Sequence, residues 1–525
     1  MSDAGGRAPS FPHFPHDVDA VRRWALLAPD RVALIDDGQE RRLTYAALDA
    51  QARAWAHVLL AAGVSTGERV ALLAGTRAEC VALFYGCLRI GAVLVPLNWR
   101  LSAPELARVL IDARPTVLVT EPRHDPLAAR TLAQPGVADA ITRLSLAAAD
   151  RLPDTPALAP VGGDAETATM LLYTSGSTGT PKGVVLPRRQ LLFNAVATVT
   201  AWRMGPDEVA PVSTPLFHTG GWHVFLTPVL HAGGTVVLFD GFEPARFLAG
   251  LAEHACTLAF AVPTQFTMLM GDARWGARLP ALRRFVSGGA PCPPAVRAAI
   301  RAAGHGFQEG YGLTECGPNC FATSDAAAEA HPGSVGWPAP FIDVRLVDEA
   351  EREVPDGVPG ELLLRGPQMF AGYFGAPERT AEALTADGWL RTGDLATRDA
   401  RGLLRICGRR KEMFISGGEN VFPGEVEAVL ADCPGVAEVA VLGVPDERWG
   451  EVGRAFVVAR AGQPLEVERV IAHARGALAG YKVPKRVVVV DALPRLGSGK
   501  VDRRALAALL HPPEPQEAAA TGACA

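Results

Sequence analysis

A chain of 525 residues exceeds one ordinary domain, and an apolar fraction of 49% gives it material for a large core. Its formal net charge of −5 carries no basic bias, which excludes nucleic acid as a principal partner. Nine cysteines, odd in number and without C-x-x-C spacing, fit the reduced thiols of a cytoplasmic protein.

Residues 1–16 are rich in Pro, Gly and His and hold no apolar stretch of a secretory signal; a helix is predicted from about Asp17 to Leu27. The next helix opens at Thr44 and stops at Gly63. Strands and helices then alternate: strand 69–73, helix 78–90, strand 92–96, helix 104–112, strand 116–120. That rhythm predicts an α/β domain around a parallel sheet. The window Cys80 to Leu97 is the most membrane-like, but Arg89 interrupts it and Pro96 closes it, so a buried helix followed by a strand is expected and no transmembrane segment. Residues 121–163, with more Pro and Asp, read as a surface connection. Beyond it come a strand 168–173, a second strand 183–186, a helix 189–202, strands near 209–212, 235–238 and 258–262, and a strand 284–287 that runs into Gly288, Gly289, Ala290 and Pro291. From about Gly333, short alternating runs (DVRLVD, GELLLRG, LLRICG) suggest an antiparallel, barrel-like subdomain. A charged connector, Gly408 to Lys411, leads to a small α+β unit, and a tail from about residue 511 is expected to lack order.

The chemistry is announced by YTSGSTGTPKG, Tyr173 to Gly183. Thr174, Ser175, Ser177 and Thr178 alternate with Gly176 and Gly179 ahead of Lys182, so hydroxyls and backbone N–H groups can converge on an anion. Pro181 before and Gly183 after the lysine rule out a Walker A loop. The chain holds only five lysines (Lys182, Lys411, Lys482, Lys485, Lys500) beside forty-six arginines, so each lysine is a candidate for a task that a guanidinium cannot perform. Four further segments stand out. EGYGLTECG sets Tyr311 between Gly310 and Gly312 and offers Glu315 as a hard oxygen ligand for Mg²⁺. WLRTGDL offers Asp394 to two vicinal ribose hydroxyls. GRRKEMFISGGENVFPGEVE spans 408–427, and PRLGSGKVDR puts Lys500 in a glycine-rich loop.

In this order the five segments resemble the adenylate-forming superfamily of acyl-CoA synthetases, non-ribosomal adenylation domains and beetle luciferases, over roughly residues 30–510. The resemblance implies a large N-terminal domain (1–408) of stacked α/β sheets with the barrel-like subdomain, a hinge at 409–411 centred on Lys411, and a small mobile α+β domain from 412. It implies that a carboxylate and ATP form acyl-adenylate and pyrophosphate, and that CoA then takes the acyl group. Lys500 matches the adenylation lysine. Lys182 with the loop hydroxyls matches the holders of the β/γ-phosphates, and Thr174 with Glu315 the Mg²⁺ ligands. Tyr311 matches the residue stacked on adenine, and Asp394 with Arg409 the ribose ligands. Gly289, Ala290, Glu309, Gly310, Gly312 and Thr314 complete the expected ATP site.

The same resemblance assigns Ser416, Gly417 and Gly418 to the pantetheine path, and Trp449, Tyr481, Lys482 and Lys485 to the CoA nucleotide. His218 matches a residue on the path to the reacting carboxylate, Gly288 a wall of the acyl site, and Trp222 the position where some fatty-acid ligases carry a gate indole; core packing is the alternative for Trp222. Val212 to Phe239 contains no Asp or Glu, which disfavours an α-amino acid, because its buried ammonium would lack a partner. The expectation is a cytoplasmic acyl-CoA synthetase using ATP, Mg²⁺ and CoA on an apolar acid, a fatty acid ahead of an aryl acid. The alternative is an acyl-AMP ligase or stand-alone adenylation enzyme that loads a carrier-protein thiol. No nucleic acid and no membrane span are expected as partners, and a homodimer is admitted.

Overall fold

The helix Ala78–Ile90 is buried along its whole length, Glu79 and Arg89 included. A charge there must be paired, and Arg89 is: its Nε donates to Asp19 Oδ2 at 2.8 Å, its Nη2 to Asp49 Oδ1 at 2.7 Å and its Nη1 to the Asp49 carbonyl at 2.9 Å. Burial works against the charged guanidinium, but Asp19 and then Asp49 outweigh it and hold its pKa above the ordinary value. Asp19 also caps the helix Ala20–Leu27 by accepting from the Arg22 N–H, so one carboxylate ties two helices together. Gly86 lets the neighbouring helix Tyr45–Ala61 come close, since a Cβ there would stand 2.7 Å from Trp55 Cβ and 3.1 Å from the Ala52 carbonyl.

This computed structural model describes residues 18–510 apart from 139, 149–154, 157, 159–162, 175–181, 461, 464 and 497–499. The chain forms two compact units that divide between Ile406 and Cys407. In the first, a seven-stranded sheet runs in the order Gly372–Tyr373, Lys182–Pro187, Ala168–Thr174, Val93–Pro96, Arg69–Leu73, Val117–Thr120, Thr142–Ser145. Its last five strands are parallel, and the first two join antiparallel. A second sheet orders Arg41–Thr44, Val32–Asp36, Thr235–Leu238 and Val209–Val212, and a third, all parallel, orders Leu258–Ala261, Arg284–Ser287 and Gly306–Glu309. An antiparallel meander of Asp343–Val347, Gly360–Arg365, Leu390–Arg398 and Leu404–Arg409 stands where the sequence suggests the barrel-like subdomain.

The second unit carries a five-stranded sheet, with Gly450–Ala459 flanked by Val436–Asp446, Phe414–Ser416 and Arg486–Val489, and Glu419–Val421 outside Phe414–Ser416. The helices Pro423–Ala431 and Val467–Ala477 close its apolar core around Phe414, Val426, Leu430 and Val470. One expectation is corrected. The supposed connection 121–163 holds the helix Asp125–Leu132 and the strand Thr142–Ser145, which extends the parallel sheet. That strand reads TRLS and is mostly exposed at the sheet edge, so it lacks the apolar run by which a buried strand is recognised. Among the described residues no helix is long and apolar enough to cross a membrane.

Replacing Arg89 with Leu removes the cation that Asp19 and Asp49 share, leaving both carboxylates buried with part of their charge uncompensated, although Asp49 keeps Arg53. The expected loss is about 3–5 kcal/mol, read as a clear fall in melting temperature. An unchanged melting temperature would show that the triad does not hold these helices.

Candidate functional site

Strand register builds the phosphate side of the candidate site. In the antiparallel pair Ala168–Thr174 and Lys182–Pro187, Thr174 stands opposite Lys182 and Leu172 opposite Val184. On the outer side Gly372–Tyr373 adds a short strand with Tyr373 opposite Val184. Side chains alternate faces along a strand, so Thr174, Lys182 and Tyr373 share one face. The contacts agree: Lys182 Nζ lies 5.0 Å from the centre of the Tyr373 ring, and the Tyr373 hydroxyl donates to Glu315 Oε1 at 2.9 Å. Burial first, and then the Glu315 charge, hold the Tyr373 phenol well above its ordinary pKa, which keeps it a donor. Tyr173 faces the other way and donates to Asp112. The loop residues Ser175, Gly176, Ser177, Thr178 and Gly179 lie outside the described residues.

Glu315 sits in a single turn, Thr314–Cys316, fastened at each residue: Gln190 Nε2 donates to the Thr314 carbonyl at 2.9 Å, the Phe370 N–H to the Glu315 carbonyl at 2.7 Å and Gln368 Nε2 to the Cys316 carbonyl at 2.9 Å. The segment before Tyr373 is pinned by buried Arg189. Its guanidinium donates to the carbonyls of Pro367 (3.0 Å), Met369 and Phe370 (3.2 Å), and pairs with Glu166 at 2.6 and 2.8 Å. A carboxylate and a hydroxyl are hard oxygen donors of the kind Mg²⁺ takes, so Glu315 and Thr174 fit that ion chemically.

The nucleoside candidates meet as well. The Tyr311 hydroxyl donates to the buried Asp394 carboxylate, and the Tyr311 ring stands edge-on to Phe321 at 5.6 Å. Burial, then Asp394, push the Tyr311 phenol far up. Gly312 has to be glycine, because a Cβ would lie 2.2–2.4 Å from the backbone of Gly317 and Pro318. Glu309 ends a strand, accepts from the Cys292 N–H at 2.9 Å and pairs with Arg297 at 3.3 Å. Its carboxyl is raised by burial against the pull of those two partners. Two parallel strand ends come together where Gly310 N–H bonds the Ser287 carbonyl at 2.8 Å; Gly288 follows, and a Cβ on it would stand 3.3 Å from the Gly310 carbonyl. Gly289 has a φ of +80° and leads to Ala290.

On the acyl side, half-buried His218 caps the short helix Thr219–His223, its ring 4.6 Å from that of Phe217. Of the two readings of Trp222, gate indole and core residue, the packing fits the second. Trp222 is fully buried, donates its indole N–H to the Leu216 carbonyl and packs against Phe84 at 5.1 Å, so it belongs to the core. The sequence reading missed Tyr373, whose short strand carries only two residues, and a buried polar group around His223. The His223 imidazole, brought down to about 3 by burial, pairs with Thr227 at 3.0 Å, while the side chains of Asn194 and Asn319 bond the His223 carbonyl. An aromatic pair, Tyr373 and Phe374, set between Gly372 and Gly375 was the available signal for Tyr373.

In the second unit, Ser416 and Glu419 flank a two-residue turn in which Gly417 and Gly418 have φ of +62° and +86°, the conformation that tight hairpins reserve for glycine. The Gly417 N–H donates to the Trp449 carbonyl at 2.8 Å, and a Cβ on Gly417 would meet the indole at 2.9 Å. Lys485 stands 5.7 Å and the Arg448 guanidinium 5.0 Å from the Trp449 ring. Lys482, expected as a cation open to phosphates, is paired with both oxygens of Glu425 at 2.7 and 2.8 Å beside Tyr481. Burial opposes its charge, yet Glu425 raises its pKa above the ordinary lysine value. Lys500 is exposed, its carbonyl accepts from the Leu496 N–H at 2.8 Å, and the helix Arg503–Ala508 that Asp502 caps follows. Arg409 and exposed Lys411 lie just past the division between the units.

Known proteins give this geometry its family. The family described as AMP-binding enzyme matches residues 21–374, and the AMP-binding enzyme C-terminal domain matches residues 425–500. A feruloyl-CoA synthase from Amycolatopsis sp. is 41% identical across 92% of this chain and 96% of its own. An indoleacetate–CoA ligase from Aromatoleum aromaticum is 38% identical across 92% and 95%. The ATP-bound crystal structure of MatB from Rhodopseudomonas palustris superposes with a TM-score of 0.84 at 33% identity, covering 93% of this chain and 98% of that one. The chain therefore belongs to the AMP-binding enzyme family, the adenylate-forming superfamily, as an acid–thiol ligase of the acyl-CoA ligase kind.

Proposed function

We propose that the protein activates an apolar aryl carboxylic acid with ATP, releasing pyrophosphate, and passes the acyl group from the adenylate to CoA. The observation that carries the aryl assignment is the position of Trp222. The position of Trp222 matches the gate indole of some fatty-acid ligases, and a tryptophan packed in the core removes that support for a fatty acid. The similarity to a feruloyl-CoA synthase and an indoleacetate–CoA ligase supports an aromatic acid instead.

In this reading the site answers a repulsion problem. A carboxylate must approach an anionic α-phosphate in line with departing pyrophosphate, so catalysis is mostly positioning and the placement of positive charge. Lys182 holds the β/γ-phosphates and Lys500 bridges the carboxylate and the nucleotide at the point of attack. Thr174 and Glu315 hold Mg²⁺, which when bound neutralises the triphosphate. Tyr311 and Asp394 hold adenine and ribose, with Arg409 beside the ribose, and His218 and Gly288 border the acid. The turn Ser416–Gly417–Gly418 leaves room for the thin pantetheine arm, and Trp449 with Lys485 offers a flat face and a cation to the CoA nucleotide. Lys482, already paired with Glu425, ties its own turn to the helix Pro423–Ala431 and serves CoA only indirectly.

Two outcomes are expected. With ATP, Mg²⁺ and CoA, ferulate and indole-3-acetate release pyrophosphate faster than a medium-chain fatty acid, and acyl-CoA accumulates. Faster turnover of the fatty acid would reverse the substrate assignment, and acyl-adenylate accumulating without acyl-CoA would move the acceptor to a carrier-protein thiol. In Lys500→Ala, adenylation falls on the order of 10²–10³-fold, the usual loss for one electrostatic stabiliser, while thioester formation from supplied acyl-adenylate persists. Equal losses in both steps would contradict the role given to Lys500.

A further inference from the structure

Lys182 and Glu315 carry opposite charges around one tyrosine, and neither is paired with the other. The Tyr373 ring lies beneath the ammonium at 5.0 Å, and its hydroxyl binds the carboxylate at 2.9 Å. Among the described residues no ion pair joins Lys182 to Glu315. A direct pair would satisfy both groups and take from each the charge that the phosphates and the metal require. An aromatic face attracts an ammonium weakly, and one phenol occupies one carboxylate oxygen, so each contact orients its partner without neutralising it.

The ring is fixed from several sides. Its backbone N–H donates to Thr380 Oγ1 at 2.9 Å, Phe370 stands edge-on at 5.1 Å, and Arg189 clamps the preceding carbonyls. Gly372 holds a φ of +125° against Thr380, where a Cβ would meet the side chain at 3.0 Å, so the chain arrives at Tyr373 by a path that only glycine takes easily.

We propose that Tyr373 is a positioning residue that separates Lys182 from Glu315, aims the carboxylate at Mg²⁺ and keeps the ammonium available to the triphosphate. The inference rests on the reading of Lys182 and Glu315 as phosphate and metal ligands given above. Tyr373→Phe removes only the hydroxyl, whereas Tyr373→Ala removes the separator and lets Lys182 close on Glu315.

Calorimetric titration of the full chain with ATP, without acid, in a Mg²⁺ series and in EDTA, distinguishes these effects. For Tyr373→Phe, ATP affinity at saturating Mg²⁺ falls about tenfold and the Mg²⁺ midpoint rises, while binding in EDTA is unchanged. For Tyr373→Ala, affinity falls in EDTA too, and adding Glu315→Gln restores it by releasing Lys182. A general loss of packing would not be rescued in this way. Should the Ala variant fail to fold, the Phe variant decides alone. A wild-type Mg²⁺ profile in Tyr373→Phe overturns the proposal, as does a folded Tyr373→Ala that Glu315→Gln does not rescue. A wild-type protein that binds ATP with Mg²⁺ but activates no acid would overturn the functional reading and leave this one standing.

Discussion

The candidate site depends first on the register between Ala168–Thr174 and Lys182–Pro187. With Thr174 opposite Lys182, the period of two puts the hydroxyl and the ammonium on one face, and the edge strand Gly372–Tyr373 extends that face because Tyr373 opposes Val184. A slip of one residue would turn Lys182 toward the opposite face and Gly183 into its place. The register is held by the apolar residues between: Met170, Leu172, Val184 and Leu186 are buried in the main core, while Leu171 and Val185 belong to the cluster on the other side of the sheet. Core packing therefore decides where the polar end of the hairpin points.

Buried arginines carry this order outward. Arg189 joins the helix Arg188–Trp202 to Glu166 and to the carbonyls of 367–370, so the strand that presents Tyr373 is located by hydrogen bonds with fixed directions. Arg89 performs a similar task with Asp19 and Asp49 behind the parallel sheet. Such pairs are weak sources of net stability, because desolvation offsets most of the attraction. Their value is geometric. A planar fork with several donors fixes more than one neighbour at once, which a single ammonium on a flexible stem does not.

Elements with a strong local signal were legible in the sequence. Ala78–Ile90, Tyr45–Ala61 with its Thr44 cap, and the parallel strands Arg69–Leu73, Val93–Pro96 and Val117–Thr120 follow from helical and strand patterns. Thr142–Ser145 was not, because an exposed edge strand carries no apolar run. The segments bearing Lys182, Tyr311, Glu315, Asp394 and Lys500 were visible as motifs, yet the bonds that organise them were hidden. Tyr311 to Asp394 and Tyr373 to Glu315 are separated by 83 and 58 residues, and no pattern local to either partner encodes such a contact. Trp222 shows the converse failure. Its place in a motif left gate indole and core residue both open, whereas its burial against Phe84 depends on a helix more than 130 residues earlier.

The scarcity of lysine takes on a sharper meaning in the fold. In a chain that satisfies its structural cation needs with arginine, Lys182 lies over an aromatic ring and Lys500 stands exposed, while Lys482 is locked to Glu425. Rarity alone therefore did not mark function, since one of the five performs the structural pairing that arginine performs elsewhere. What separates Lys182 from Lys482 is the partner. A carboxylate at 2.7 Å uses up an ammonium, and a ring at 5.0 Å orients it while leaving its charge to be shared with an anion. The difference between a structural and a chemically available lysine thus lies in which neighbour the backbone brings to it, and for Lys182 that neighbour is set by the pairing of a two-residue strand.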